Sequence, residues 1–201
     1  MMSSTNANIY DENSFPFGYS FGEWSVKWWQ WLLSIPKSNN PILDLSGENA
    51  AIGQYDSDVF FLCQTVENVN QRRTRNISVR KGTSLFSPVI NWVSNFYEDG
   101  HSEMELIETA RRKMDIIGDL QFYLNGERIQ GLKKYRFLSK FFSFDMPKDN
   151  IFDLPSGKAR LVSDGYWVFI KPLVMDTTIS TFGTCSSGLT KIGVNYNIKV
   201  V

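Results

Sequence analysis

The sequence predicts a mostly β protein: an antiparallel β-sandwich or jelly-roll-like domain that carries two packed α-helices, at about residues 20–35 and 102–117. Three observations predict this fold. About eight or nine short apolar runs have strand-like composition, without the helix-strand alternation of a parallel sheet. Asn125-Gly126 and Asp164-Gly165 are both signals for two-residue hairpin turns. The run Ile192–Val200 alternates apolar and polar residues, as a half-buried antiparallel strand does.

The first helix is marked at both ends. Ser20 precedes Glu23 by three residues, the spacing of a capping box, and Pro36 stops the helix because it has no amide N–H to donate. Its apolar positions cover more than half of the circumference and include four tryptophans, Trp24, Trp28, Trp29 and Trp31. We therefore expect a largely buried helix that completes the core. Trp29 lies at the edge of the tryptophan stripe and is the indole predicted to remain available to a partner.

The second helix begins with the same spacing, Ser102 and Glu105, and Gly118 is predicted as the residue that ends it. Its buried stripe is predicted to contain Leu106, Ile107, Ala110, Met114 and Ile117. The other predicted strand regions are Asp58–Thr65, Arg75–Arg80, Ser84–Trp92, Tyr135–Met146, Lys158–Ser163, Tyr166–Lys171 and Thr177–Phe182. Pro88 predicts an edge strand or a β-bulge at its position.

Residues 1–14 are polar and are predicted to form a flexible N-terminal tail, which leaves residues 15–201 as a single domain. The chain has 21 basic and 21 acidic residues, so no global field recruits nucleic acid or a membrane surface. The first helix would span only about 22 Å, which is short for a membrane crossing. We expect neither a nucleic-acid partner nor a membrane span.

Several features indicate a cytoplasmic protein. The first residues have neither the charged region nor the apolar region of a signal peptide. Cys63 lies inside an apolar run, where a buried free thiol is the simpler interpretation, and Cys185 is far away in the sequence. In a reducing compartment the glycosylation sequon at Asn76 would be unused.

No catalytic residue or cofactor is predicted. His101 is the only histidine and directly precedes the second helix, where a loop role is favoured. One histidine and two distant cysteines do not make a zinc site, and no nucleophile elbow accompanies His101. The glycine- and serine-rich run Gly183–Gly188 lacks the lysine of a phosphate-binding loop and is predicted to connect strands.

Two clusters are candidates for binding. The first contains Arg72, Arg73 and Arg75, for which a solvated loop is favoured over an anion site. The second contains Asp44, Asp56 and Asp58, which could together bind a hard cation, although turn and strand-entry roles are favoured and no metal is predicted.

Several phrases of the sequence occur together in one known family. They are Phe21–Trp31, Ile35-Pro36, Asn40-Pro41, Asp44, Gly47, Gln54, Val59–Leu62, Gly82–Asn91 and Ser163–Leu173. Over residues 17–201 the chain resembles a family of uncharacterised bacterial and archaeal proteins, many of them exported. No established activity comes with this resemblance. It implies cysteines near the positions of Ala50 and Ile77 in exported members, and their absence here agrees with a reducing compartment.

The leading hypothesis is a non-enzymatic binding or interaction module. Its expected partner is a protein or a glycan, and homo-oligomerisation through a sheet edge or a helix face is an alternative. The alternative function is a hydrolase-like enzyme that acts on a glycan or another polar substrate. Its paired carboxylates would lie near Asp44, Asp56 and Asp58, or near Asp149 and Asp153.

Overall fold

The computed structural model describes residues 7–65, 72–185 and 191–201, which form two five-stranded sheets and two α-helices in a β-sandwich-like arrangement. The predicted fold class is confirmed. The helices are α1 (Phe21–Ser34) and α2 (Glu103–Asp115). The strands are β1 (Val59–Phe61), β2 (Arg73–Val79), β3 (Ser84–Asn95), β4 (Ile117–Leu124), β5 (Glu127–Arg128), β6 (Arg136–Leu138), β7 (Phe142–Met146), β8 (Gly157–Ile170), β9 (Thr177–Cys185) and β10 (Lys191–Val200).

Both sheets are mixed, which differs from the prediction of antiparallel pairing. The first sheet has the order β1-β3-β8-β6, with β7 also paired to β8, and β1 runs parallel to β3. The second sheet has the order β2-β10-β9-β4-β5, and β2 runs parallel to β10. Parallel neighbours need a long connection rather than a hairpin. Neither parallel pair is joined by a short turn, so no local signal in the sequence indicates its direction.

The two predicted hairpin turns have opposite outcomes. Asn125 and Gly126 have φ angles of 51° and 80° and join β4 to β5, as predicted. The prediction of a turn at Asp164-Gly165 is wrong, because β8 continues through both residues. Arg136 neutralises the Asp164 carboxylate at 2.7 Å. Gly165 permits a close approach of β3, since a Cβ atom there would lie 2.6 Å from the Cβ of Asn91.

Other local predictions are corrected by tertiary contacts. Pro88 lies beside a β-bulge, as one alternative predicted, but β3 is an inner strand between β1 and β8. Gly118 does not end α2 as predicted, because β4 already begins at Ile117. Ile9 is buried and bridges Ile170, which attaches this part of the N-terminus to the first sheet. Residues 186–188 of the predicted Gly183–Gly188 connector lie outside the described residues, whereas 183–185 belong to β9.

Helix α1 is capped as predicted and packs against β8. Ser20 accepts the Glu23 amide N–H, and the Glu23 carboxylate accepts the Ser20 amide N–H at 2.8 Å. Each of the four indoles is buried and donates its N–H: Trp24 to the Pro16 carbonyl, Trp28 to the Leu62 carbonyl, Trp29 to the Ser163 hydroxyl and Trp31 to the Ile52 carbonyl. A buried indole N–H needs such a partner. Helix α1 is therefore a structural element of the core, as predicted.

The two helices cover opposite faces of β8. Trp167 of β8 contacts Trp28 of α1 at a ring-centroid distance of 5.3 Å. Val162, which points to the other face because side chains alternate along a strand, packs with Leu106 and Ala110 of α2. Within the described ranges, neither helix combines the length and the hydropathy that crossing a membrane requires.

Arg136 joins three elements on the α2 side. Its guanidinium binds the buried Asp164 of β8, the exposed Asp115 at the end of α2 and the Arg111 carbonyl. The Asp164 carboxylate is the largest cause of the raised pKa of Arg136, through its hydrogen bond. This charged contact fixes the end of α2 to the first sheet.

Candidate ligand-binding face

The second sheet presents a polar surface to the outside. Side chains alternate along each strand, so Ile77, Val194 and Ile179 point into the core while their neighbours point outward. The outward side chains, which we call the polar face, are Thr74, Asn76, Ser78, Gln121, Tyr123, Thr178, Ser180, Asn195, Asn197 and Lys199. Three asparagines thus lie within two adjacent strands.

Strand register arranges these side chains in rows across the sheet. The first row is Thr74, Asn195, Ser180 and Tyr123, contributed by β2, β10, β9 and β4 in turn. At about 4.8 Å between neighbouring strands, this row spans about 14 Å. The second row is Asn76, Asn197 and Thr178, and it lies about 7 Å from the first.

Much of the hydrogen-bonding capacity of the polar face is unused. The Asn197 side-chain amide donates to Asn76 Oδ1 at 3.0 Å. The side chains of Thr74, Asn195 and Tyr123 make no hydrogen bond to another described residue. Two depressions of about 520 and 390 Å³ lie over the face and share Thr178 and Asn197. The face therefore carries two shallow, open depressions together with donors and acceptors that are free to bind a ligand.

Arg72 closes one end of the polar face. Its guanidinium lies 4.9 Å from the centre of the Phe182 ring and donates to Ser180 Oγ at 2.7 Å and to Gln121 Oε1 at 3.5 Å. It crosses β10 at Gly193, where a Cβ atom would lie 3.4 Å from Arg72 Cγ and 2.7 Å from the Thr181 carbonyl oxygen. The missing side chain of Gly193 therefore makes room for Arg72, which is held in a fixed position.

The structure does not bring the three candidate arginines together on one surface. Arg72 lies on the polar face, whereas Arg73 and Arg75 belong to the other side of β2 by alternation. Arg73 is exposed at the start of the strand, but Arg75 is only 1% exposed. Arg75 lies two and four positions before Ile77 and Val79, so alternation along β2 points all three side chains inward. This alternation in the sequence could have identified Arg75 as a core residue.

Arg75 is a buried cation that binds backbone and hydroxyl oxygens. Its guanidinium donates to the Cys63 carbonyl at 2.9 Å and to Tyr196 Oη at 2.8 Å. Burial alone would lower the pKa of Arg75, but Tyr196, Cys63 and Asp44 raise it overall, so the group stays charged. Burial also raises the pKa values of the Cys63 thiol and the Tyr196 hydroxyl to about 12, so both are neutral.

Trp29 does not provide the predicted binding surface. It is 5% exposed, and its indole N–H donates to Ser163 Oγ at 2.9 Å in the interior. The prediction relied on its angle relative to the tryptophan stripe. That angle places Trp29 toward the first sheet, which the helix covers, rather than toward solvent.

The three carboxylates that were an alternative cation site do not come together. Among the described residues, no group of three His, Cys, Asp or Glu side chains is arranged to hold a metal. Asp58 pairs with Arg80 at 3.4 Å, and Asp56 is exposed. The Asp44 carboxylate is hydrogen-bonded within the turn that follows it. It accepts the Ser46 hydroxyl and the amide N–H groups of Ser46, Gly47 and Asn49.

Because of Asp44, the free energy of unfolding should depend on pH in the acid range. Burial raises the pKa of this carboxyl, but the hydrogen bonds outweigh burial and hold it below its ordinary value of 3.8. A lowered pKa stabilises the fold above pH 4, and this contribution is lost as the pH falls through the lowered value. We expect Asp44→Asn to cost about 1–2 kcal/mol at pH 7 and less at pH 3, measured by urea unfolding.

The control for this prediction is Asp56→Asn, because Asp56 is exposed and makes no hydrogen bond to another described residue. It should leave the free energy of unfolding unchanged at both pH values. An Asp44→Asn penalty that is equal at pH 7 and pH 3 would show that the charge of Asp44 does not contribute.

The other predicted carboxylate pair also supports loops. Asp153 pairs with Lys37 at 2.6 Å, and Asp149 accepts the Ser38 hydroxyl at 3.3 Å. Asp99 has a raised pKa because of burial, with the nearby Glu98 as a further cause, and it accepts the Asn95 amide N–H at 3.0 Å in the turn after β3. None of these groups lines the depressions over the polar face.

The polar face was not identified from the sequence. The alternation in β10 places Asn195, Asn197 and Lys199 on one side, and the alternation in β2 does the same for Asn76 and Ser78. Asparagine is depleted in strands, so this repetition is a signal that could have been used. What the sequence lacks is the register that brings the two strands together.

Comparisons with known proteins do not place the chain in a family. No protein-family model matches it, and no curated protein matches it. Among solved structures, it is similar to a chain in the structure of PbICP-C in complex with falcipain-2. That similarity has 11% sequence identity and a TM-score of 0.30, and it covers 72% of this chain and 100% of the other. A TM-score this low does not establish a shared fold.

Proposed function

We propose that this protein is a non-enzymatic binding protein and that its ligand lies on the polar face. One observation carries this proposal: Asn76, Asn195 and Asn197 occupy outward positions in the middle of two paired strands. Asparagine fits a pleated surface poorly, and threonine would fill a solvated position better. A role in binding gives a physical reason for keeping three amides there.

The charges on the polar face favour a ligand that is bound through hydrogen bonds. Arg72 and Lys199 lie near opposite ends, Asp176 lines the larger depression and Arg128 lies at the β5 edge. The two rows between these charges consist of amides and hydroxyls. A nucleic acid would instead need a stripe of basic residues along its backbone. We therefore propose a glycan or a polar protein surface as the partner, with a second copy of the chain as the alternative.

We also propose a cytoplasmic location and membership of the family of bacterial and archaeal proteins that the sequence motifs resemble. Cys63 supports the location, because it is a buried free thiol, as expected in a reducing compartment. The hydrolase alternative stays a prediction. Its named carboxylates support loops and turns, so the binding function has the better structural support.

The proposal can be tested without knowing the ligand. The triple variant Asn76→Thr, Asn195→Thr and Asn197→Thr should increase the free energy of unfolding by about 1 kcal/mol or more, since threonine is the better strand residue. Urea unfolding at pH 7 measures this change. Residues kept for binding rather than for folding commonly show such a gain when they are replaced.

The control is Asn39→Thr, an exposed position in a short 3₁₀ turn, which should not stabilise the protein. If the triple variant is less stable than the wild type, the asparagines serve the fold. The observation that carries the proposal would then be explained without a ligand.

A further inference from the structure

We infer that the ligand of the polar face is an uncharged oligosaccharide that stacks on Tyr123 and hydrogen-bonds to the rows of amides and hydroxyls. This inference rests on the proposed binding function and specifies its ligand. It depends on three features of the face: the chemistry of its rows, the state of its cations and the partly exposed ring of Tyr123.

The rows match the chemistry of sugar hydroxyls. A hydroxyl group is both a donor and an acceptor, and an asparagine side chain offers two donors and an acceptor a short distance apart. In the first row, Thr74 and Asn195 have both functions free among the described residues. In the second row, Asn76 and Asn197 share one hydrogen bond of 3.0 Å and keep their remaining capacity. The rows therefore suit a ligand with many hydroxyl groups.

The cations of the face do not favour an anionic ligand. The Arg72 guanidinium is engaged by the Phe182 ring, by Ser180 and by Gln121. Lys199 lies at the far end, beyond the second row, opposite Ser78. Arg128 of β5 pairs with Tyr123 at the edge of the sheet, where its guanidinium donates to the Leu120 carbonyl at 3.5 Å. An acidic polysaccharide or a phosphate would have to bind at the edge of the face rather than across its middle. An uncharged ligand has no such restriction.

Tyr123 supplies an aromatic platform at the end of the first row. Its ring makes no stacking or cation contact with another described residue and is partly exposed. Phe182, by contrast, is already covered by Arg72. The apolar C–H face of a sugar ring packs well against an uncovered aromatic ring, whose π face is electron-rich. Tyr123 also lines the smaller depression together with Asn195 and Ser180.

A peptide ligand fits the face less well. Extended peptides usually add to the edge of a sheet through backbone hydrogen bonds. At the β2 edge, the Asn76 amide N–H is already bound to the Ser46 carbonyl at 3.0 Å. A folded protein partner would need exposed apolar anchors, and the two rows provide Tyr123 as their aromatic residue. The amide-rich surface is better matched to a glycan.

The test uses the full chain and isothermal titration calorimetry with neutral oligosaccharides: cello-, xylo-, manno- and malto-oligomers. Oligogalacturonate is the anionic probe. We expect at least one neutral oligomer to bind more tightly than oligogalacturonate. Tyr123→Ala should weaken that binding about ten-fold, and Asn195→Ala should weaken it several-fold. Tyr123→Phe should keep the affinity within about two-fold, because the ring is retained.

Tyr97→Ala is the matched control, since Tyr97 is exposed in the turn after β3 and lies outside the polar face. It should leave the affinity unchanged. Thermal unfolding of each variant separates a loss of binding from a loss of folding, and Asn195→Ala provides a second test if Tyr123→Ala does not fold.

Several results would overturn the inference. They are tighter binding of oligogalacturonate, an unchanged affinity in both Tyr123→Ala and Asn195→Ala, and no binding of any neutral oligomer at millimolar concentration. A dimer that Asn195→Ala dissociates would also overturn it, in favour of a second copy as the partner. If no oligosaccharide binds but the threonine triple variant is stabilised, only the ligand assignment fails. If that variant is also destabilised, the proposed function fails with it.

Discussion

Trp28→Ala should lower the free energy of unfolding by about 3–5 kcal/mol, the range for removing a large aromatic side chain from a core. Trp28 is 1% exposed and lies at centroid distances of 4.9 Å from Trp29 and 5.3 Å from Trp167. Its removal leaves a cavity between α1 and β8 and leaves the Leu62 carbonyl without the indole donor. Urea unfolding at pH 7 measures the loss.

Two further variants make this prediction specific. Trp28→Phe keeps most of the ring volume but removes the N–H, so its smaller penalty reports the hydrogen bond to Leu62 and the residual cavity. Tyr55→Ala is the surface control, because Tyr55 is 73% exposed, and it should change stability by no more than about 0.5 kcal/mol. A Trp28→Ala penalty below about 1 kcal/mol would contradict the buried position of α1.

Arg75→Ala should also be strongly destabilising, by about 3–5 kcal/mol. The guanidinium binds three groups from separate parts of the chain: the Cys63 carbonyl, Tyr196 Oη and, at 3.4 Å, the Ile42 carbonyl. Truncation removes these bonds and opens a cavity at a site that is 1% exposed. The measurement is again urea unfolding at neutral pH.

Arg75→Met is the informative companion variant. It keeps the volume of the aliphatic stem and removes a charge that has no carboxylate within ion-pair distance among the described residues, so it should cost less than Arg75→Ala. Arg80→Ala is the exposed control, because its ion pair with Asp58 is solvated and worth at most about 1 kcal/mol. Equal effects of Arg75→Ala and Arg80→Ala would show that the buried guanidinium contributes nothing beyond a surface charge.

Predictions from neighbouring residues succeeded where the physical cause is itself local. The capping box of Ser20 and Glu23 and the hairpin at Asn125-Gly126 depend on residues one to three positions apart, and both are present. The same kind of signal failed at Asp164-Gly165. There the outcome depends on Arg136 and on Asn91, which are distant in the sequence and become neighbours only in the folded sheet.

The candidate binding residues also show that local sequence and tertiary structure determine different things. Of Arg72, Arg73 and Arg75, which are close together in the sequence, one lies on the polar face, one at an exposed strand end and one in the core. Alternation along β2 separates them, since successive side chains point to opposite sides of a strand. Trp29 was misplaced because the apolar arc of a helix does not say which part of it a sheet will cover.

The sequence by itself determined the mostly β fold class, the two helices with their N-terminal caps, and the parity that puts Asn195 and Asn197 on one side of β10. These features follow from backbone geometry and from residues within one turn or one strand. Only the tertiary structure decided that β10 pairs with β2 and β9, so that Asn76, Asn197 and Thr178 form a row. Strand register is set by how the opposite, apolar face packs into the core, and that packing involves the whole chain.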